Sequence, residues 1–188
     1  HDTVRGSNKK LESNNADAEV SGSGFGTDGL GGASNNGTTE LRIFTADAQY
    51  NASSATYVAW GWKAGGSASS NSNGSITSSV SANQDAGFSI VSWTGTGSAG
   101  TIGHGLSSAP EHIIVKNRDS TAGRIWLNYV KAAASDAETD YLSLSGTGSA
   151  VDNADIWNDT APTSTVFSVG SNASANESSD EMIAYCFH

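Results

Sequence analysis

The chain has 188 residues, few of them charged, and its 9 Lys and Arg against 19 Asp and Glu leave a net charge of −10. This acidic balance argues against nucleic-acid binding, because neutralising a phosphate backbone requires a basic surface. No apolar run approaches the roughly 18 residues of a membrane-spanning helix, so we expect no membrane insertion. The high content of Gly, Ser, Thr, Asn and Ala favours short strands joined by turns over long helices.

The first third of the chain predicts few regular elements. Residues 1–40 contain few large apolar side chains and are predicted to form loops with one or two short strands. Strands are predicted at 41–46 and 56–63, where apolar residues alternate or run together. The stretch 65–74 has the Gly-, Ser- and Asn-rich composition of a linker.

The remainder predicts many short strands with turn signals between them. A glycine-rich turn is predicted at 95–105, and the alanines within 131–138 allow one or two helical turns. This pattern indicates an all-β fold with little or no helix, an antiparallel β-sandwich or jelly roll of the concanavalin-like kind. The predicted strands are 75–83, 87–94, 111–116, 124–130, 141–144, 154–157, 165–169 and 182–187.

An internal repeat organises the chain. The aromatic stretch Tyr57–Lys63 returns as Met182–His188, and Leu41–Thr45 precedes the first copy much as Ser164–Ser168 precedes the second. A repeat indicates that one structural unit is used twice. Nothing before the first copy matches the strands predicted at 87–94 and 111–116, so the first unit lacks its front half.

The repeat divides the chain unequally. Residues 1–64 are predicted to be the trailing half of a first unit, 65–74 a linker, and 75–188 a second, nearly complete β-sandwich. An incomplete sheet exposes unpaired edges. Either both pieces fold into one sandwich, or a neighbouring chain supplies the missing strands. Because the chain starts at His1 and its only Met is Met182, we expect a processed or truncated piece of a longer product.

Several stretches together carry a resemblance to a known family: Tyr57–Gly66, Gly74–Asn83, Gly87–Val91, Gly95–Leu106, Ala109–Pro110, Ile113–Asp119 and Ile183–His188. They resemble an uncharacterised lectin-like repeat domain of tail, fibre and virion surface proteins of tailed bacteriophages, especially marine and environmental ones. The resemblance is weakest over residues 20–40. Family members often carry Cys between the two tryptophans, where this chain has Gly61.

The resemblance implies a lectin-like β-sandwich on a virion surface or in an extracellular setting. It implies partners that are copies of the chain itself and other particle subunits, and it supplies no catalytic residues. The residues agree, because the strands predicted at 87–94, 111–116 and 124–130 carry a single acid, Glu111, and no Ser stands in a nucleophile-elbow context. We therefore expect no enzyme activity.

Two motifs that suggest cofactors are weak. The spacing of Gly95–Gly100 fits a dinucleotide fingerprint, but the residues that follow cannot form the helix that holds a pyrophosphate. Asp152, Asp155 and Asp159 lack the regular spacing and turn glycine of a calcium loop, which leaves calcium in an irregular loop as the only cofactor alternative. No metal site is predicted.

A glycan site would have to use aromatic side chains, because flat apolar faces stack on sugar rings while polar side chains orient the ligand. In a small sandwich, however, a tryptophan is more often part of the core. The candidate ligand-binding residues are Trp93, His104, Asn117, Arg118, Asp119 and Trp126.

The sequence therefore predicts a non-enzymatic virion structural or surface subunit, such as a tail fibre or a capsid decoration. It would assemble through the edges of its β-sandwich, with host-surface glycans as a further contact. The alternative is a carbohydrate-binding module of a secreted or cell-surface protein.

Overall fold

The structure is a computed structural model that describes residues 4–5, 9–21, 52–120, 123–133 and 135–188. The chain divides into two compact units. The first consists of His1–Leu11 and Glu19–Trp62, and the second of Glu12–Ala18 and Lys63–His188. The strand predicted at 41–46 lies outside the described residues.

Twelve strands and two short helices are formed by the described residues, and every strand ladder among them is antiparallel, which confirms the all-β sandwich with little helix. The strands are β1 (Lys9–Lys10), β2 (Val20–Ser21), β3 (Ser69–Asn71), β4 (Ser78–Asn83), β5 (Phe88–Thr94), β6 (Gly100–Gly103), β7 (His112–Asn117), β8 (Leu127–Val130), β9 (Asp140–Ser143), β10 (Val151–Asp152), β11 (Val166–Val169) and β12 (Glu181–Phe187). The helices are α1 (Ala154–Trp157) and α2 (Ala173–Asn176).

In the first unit, β1 pairs with β2, and an ion pair of 2.7 Å joins Arg5 to Glu19 beside them. The strand predicted at 56–63 is wrong, because residues 55–65 form no strand. A strand exists only where a second strand accepts its backbone hydrogen bonds. The aromatic pattern is local, so it could not show that this segment pairs with no described strand.

In the second unit, eight strands form one sheet in the order β10-β9-β8-β7-β12-β5-β4-β3. The final predicted strand, β12, lies inside this sheet and pairs with β5 on one side and β7 on the other. Alternation then places Met182, Ala184 and Cys186 on one face, and all three are fully buried there. Burial raises the pKa of the Cys186 thiol to about 12, so this lone cysteine is inert.

A second layer covers that face and completes the core. It contains the two-stranded sheet of β6 and β11 together with both helices. The ring of Trp93 from the large sheet meets Phe167 of β11 edge-on, with the ring centroids 5.8 Å apart. Trp157 of α1 meets Tyr129 of β8 in the same manner at 6.0 Å. The core therefore lies between the large sheet and this smaller layer.

Two predicted elements are corrected by this second layer. Residues 154–157, predicted as a strand, form helix α1, because the side chain of Asn153 accepts a hydrogen bond from the Asp155 amide and Asn158 takes a left-handed conformation at φ 54°. The glycine-rich turn predicted at 95–105 contains strand β6, which pairs with β11 along its whole length. Strand β6 contains a single large apolar residue, Ile102, which is fully buried. One apolar residue gives no alternation, so the sequence did not predict this strand.

The segment 65–74, predicted as a linker, contributes β3 to the end of the large sheet. Its backbone lies against β4: Ser81 donates a hydrogen bond to the carbonyl oxygen of Gly66, and a Cβ on Gly65 would collide with the backbone of Ala82. The predicted strands that became β4, β5, β7, β9, β11 and β12 are confirmed, whereas β8 begins only at Leu127. The described part of 131–138 forms turns without a helix.

Candidate functional site

Three of the predicted ligand residues, Asn117, Arg118 and Asp119, lie together where β7 ends beside the start of β12. Asn117 is fully buried, and its side-chain oxygen accepts hydrogen bonds from the backbone amides of Asp119 at 3.0 Å and Ser120 at 3.1 Å. Its amide nitrogen donates to Asp180 Oδ2 at 2.8 Å and to the carbonyl oxygen of Ala173 at 3.2 Å. All four hydrogen-bonding positions of this amide are thus used to hold the turn.

The two residues that follow Asn117, Arg118 and Asp119, both bind Glu181, the first residue of β12. Asp119 Oδ2 accepts a hydrogen bond of 2.7 Å from the backbone amide of Glu181. Arg118 donates its own amide to the Glu181 carbonyl oxygen at 2.8 Å, and its guanidinium lies 3.5 Å from the Glu181 carboxylate. This strand-end cluster ties adjacent strands together, and its polar atoms serve the fold.

The two predicted tryptophans, Trp93 and Trp126, lie buried on opposite faces of the large sheet. Trp93 donates a hydrogen bond of 3.2 Å to Asn176 Oδ1, and Trp126 donates one of 2.8 Å to the carbonyl oxygen of Glu12. Neither indole presents an open face on which a sugar ring could stack. The ligand-binding role of the six residues stays a prediction, and the structure gives these two a packing role.

His104, the sixth candidate, is fully buried and has a defined tautomer. Its Nδ1 accepts a hydrogen bond of 3.1 Å from the Leu106 amide, so the ring proton lies on Nε2, which donates to the Thr163 carbonyl oxygen at 3.1 Å. Burial lowers the pKa of His104 below 6.5, and the bond to Thr163 opposes this only in part. In its neutral form, His104 therefore connects its own loop, at Leu106, to the loop that contains Thr163.

We expect acid to destabilise the fold through His104. The unfolded chain takes up a proton as the pH falls through about 6.5, whereas the folded chain resists protonation until the lower folded pKa, so the free energy of unfolding decreases between these values. The slope contributed by one such group is at most about 1.4 kcal/mol per pH unit. Urea unfolding of the wild type and of His104→Gln between pH 4.5 and 7.5 measures it. Equal slopes in both proteins would contradict this role.

Lys116 is a buried group that sequence reasoning did not single out. It is fully buried, and its Nζ donates hydrogen bonds to the carbonyl oxygens of Ala16 at 3.2 Å, Asn117 at 2.9 Å and Arg124 at 2.9 Å. Burial lowers the pKa of Lys116 to about 8, opposed by the nearby Asp17. The segment Glu12–Ala18 covers Lys116, and it is held there by the bonds from the Lys116 Nζ to Ala16 and from the Trp126 indole to Glu12.

Among the described residues, large apolar side chains are exposed at Val20 of β2, by 42%, and in two further places. In the first unit, the segment Tyr57–Trp62, here called the aromatic segment, exposes Val58 by 71%, Trp60 by 78% and Trp62 by 58%. In the second unit, Leu144 after β9 and Val151 in β10 are 41% and 46% exposed. Isolated exposed apolar side chains are ordinary, but alternating large ones within one segment indicate a surface for contact.

A family model described as a domain of unknown function, DUF7483, matches residues 1–188. The chain belongs to the DUF7483 family. No curated protein and no solved structure matched it. The match covers both compact units of the DUF7483 chain, so the family unit includes the aromatic segment as well as the large sheet.

Within the described residues of this DUF7483 chain, no three His, Cys, Asp or Glu side chains come together in a way that could hold a metal ion. Asp155, one of the three acids considered for calcium, accepts a hydrogen bond from the Ser171 hydroxyl at 3.2 Å. The described part of the DUF7483 chain also contains no helix that is long and apolar enough to cross a membrane.

An open groove of about 610 Å³ runs between residues 63–66 and 82–85 of the DUF7483 chain. The two amide side chains in its wall are bonded to backbone: Asn83 donates to the Lys63 carbonyl oxygen at 3.0 Å, and Gln84 donates to that of Gly105 at 3.0 Å. These bonds attach the start of the β3 segment and a neighbouring loop to the sheet. The groove walls are thus part of the scaffold.

Proposed function

We propose that this chain is a non-enzymatic structural module of a virion surface or tail-fibre protein, and that it assembles with copies of itself through the edges of its large sheet. The observation that carries the proposal is the sheet itself, whose outermost described strands, β3 and β10, are short and exposed. Such strands offer backbone donors and acceptors to another chain. The placement on a virion rests on the sequence resemblance.

The polar residues of the second unit support a structural role. The side chains that would attract attention as chemical groups, Asn117, His104 and Lys116, are fully buried and bonded to backbone or to neighbouring side chains. Each holds a loop or a turn in place. The burial of Trp93 and Trp126 also removes the flat faces on which the carbohydrate-binding alternative depends, so that alternative has less support than assembly.

The test is the mass of the protein in solution. We expect the wild type to form oligomers whose mass rises with concentration in light scattering. We also expect a lysine placed in an outer strand, by Ser70→Lys in β3 or Val151→Lys in β10, to lower that mass at the edge that is used, because a charged edge resists pairing.

The control is Ser107→Lys, which places the same charge in an exposed loop that belongs to no strand. It should leave the mass unchanged. A wild type that stays monomeric at every concentration, or edge variants that assemble as well as the control, would overturn the proposed function.

A further inference from the structure

We propose that the aromatic segment of one copy adds as a strand to β10 of a second copy. This inference rests on the proposed function and names the two surfaces that meet. It is carried by the sequence of the segment, by the apolar side chains exposed near β10, and by the charges on the two sides.

The aromatic segment has the sequence of a strand that is paired on both sides. It corresponds to β12, which exchanges ladder hydrogen bonds with both β5 and β7. The positions that face the core in β12 are matched by smaller or polar-tipped residues, and the opposite positions by large apolar ones. The correspondence pairs Tyr57, Val58, Ala59, Trp60, Gly61 and Trp62 with Met182, Ile183, Ala184, Tyr185, Cys186 and Phe187.

The segment is presented in a form that can pair. Residues 55–65 belong to no strand, and Val58, Trp60 and Trp62 are exposed. Pairing with a second copy would supply the ladder that β12 obtains within its own sheet. It would also remove two tryptophan side chains from water, which is the kind of burial that dominates interface energies.

The acceptor is better matched at β10 than at the opposite end of the sheet. Among the described strands, β10 pairs only with β9, and it exposes Val151, with Leu144 exposed nearby. Aromatic and β-branched side chains form favourable cross-strand pairs. The other outer strand, β3, has the sequence Ser69-Ser70-Asn71 and offers no apolar partner.

Charge favours the same choice. Lys63, directly after the aromatic segment, is the only charged residue between Asp47 and Asp85. The region around β9, β10 and α1 contains acids and no Lys or Arg between residues 132 and 160. Opposite charges at a contact favour the correct register and partner. These acids are Asp136, Glu138, Asp140, Asp152, Asp155 and Asp159.

A contact between two different surfaces is heterologous, so each copy can give its segment to one neighbour and accept a segment from another. Repetition produces a ring if the rotation closes and a filament if it does not. Both products suit a module of a fibre or of a particle surface. The smallest closed product is a dimer in which two copies exchange their segments, and any other closure gives a larger ring.

Cysteine crosslinking tests the pairing directly. Val58→Cys protein, labelled with a heavy isotope, is mixed with unlabelled Val151→Cys protein under mild oxidation, and the disulfide-linked heterodimer is measured by mass spectrometry. The native Cys186 does not interfere, because it is fully buried. We expect roughly tenfold more heterodimer than in a control mixture of Val58→Cys with Ser107→Cys, since pairing raises the effective concentration of the two thiols.

A second measurement removes the apolar anchors. We expect the double variant Trp60→Ser, Trp62→Ser to raise the concentration for half-assembly by about tenfold or more, as the loss of a central anchor does. The matched control is Val20→Ser, which removes another exposed apolar side chain from the same unit.

The outcomes separate this inference from the proposed function. Heterodimer at the level of the Ser107→Cys control, or unchanged assembly of the double tryptophan variant, overturns the pairing of the aromatic segment with β10 while leaving assembly through sheet edges intact. A wild type that is monomeric at all concentrations overturns both.

Discussion

Replacing Asn176 by Asp is expected to lower the free energy of unfolding by about 4 kcal/mol, because two buried donors are replaced by a carboxylate. Asn176 is fully buried at the end of α2. Its Oδ1 accepts hydrogen bonds from the Trp93 indole and the Thr96 amide, both at 3.2 Å. Its Nδ2 donates to the Thr96 hydroxyl at 3.0 Å and to the Ser98 carbonyl oxygen at 2.7 Å. The aspartate can accept the first two bonds but, when ionised, cannot donate the last two: it faces the Ser98 carbonyl oxygen without a proton, and the Thr96 hydroxyl can donate to it only by giving up its own bond of 3.1 Å to Ser98.

The loss in free energy of unfolding caused by Asn176→Asp should become smaller as the pH falls. Burial would raise the pKa of the new carboxyl group, so the folded state would bind more protons than the unfolded state and gain stability as the pH falls. Urea unfolding at two pH values measures both effects. The matched control is Asn172→Asp on the same helix, where the side chain only caps Ser174 by accepting a bond of 2.8 Å, which a carboxylate does equally well. Equal losses in the two variants would contradict the role of Asn176.

Replacing Trp157 by Ala should cost about 3 to 5 kcal/mol, because a large side chain is removed from the core and leaves a cavity. Trp157 is 2% exposed, packs edge-on against Tyr129, and donates a hydrogen bond of 2.9 Å to the carbonyl oxygen of Asp140. The measurement is chemical denaturation followed by circular dichroism. Trp157→Phe keeps an aromatic ring and should lose less. A loss below about 1 kcal/mol in Trp157→Ala would contradict the packing described.

The exposed Trp60 provides the comparison for Trp157. Trp60→Ala should change the free energy of unfolding by less than about 0.5 kcal/mol, since an exposed side chain away from special backbone features contributes little to stability. The two tryptophans are the same residue type, but their replacements should differ in effect: Trp157→Ala should lower stability, and Trp60→Ala should lower assembly. We expect Trp157 to matter for folding and Trp60, in the pairing that we propose, for contact between copies.

Strands whose pattern is local were predictable. The strands β5, β7 and β12 are six or seven residues long, each contains several apolar or β-branched residues close together, and they form the centre of the large sheet. The helix α1 was mistaken for a strand because Ile156 and Trp157 stand together as they would in a strand, while the caps at Asn153 and Asn158 act through side-chain and backbone geometry. A four-residue element carries too short a pattern to reveal its period.

The candidate residues were found by type but not by role. Asn117, Arg118 and Asp119 do meet in one cluster, as neighbours at a strand end must, yet their partners Asp180 and Glu181 are more than 60 positions away in sequence. Burial of Trp93, His104 and Lys116 depends on which segments fold over them, and no local pattern reports that. Asn176 was missed because a buried Asn is recognised only by its four partners.

The sequence by itself determined the all-β class, the central strands and the repeat of the aromatic stretch, because alternation and composition act between near neighbours. Only the tertiary structure decided what each copy of that stretch does. Met182–Phe187 lies between two strands that complete its backbone hydrogen bonds, whereas Tyr57–Trp62 lies exposed outside any strand. The physical reason is that a strand is defined by its partners, and those partners are distant in the chain or, as we propose, in another copy.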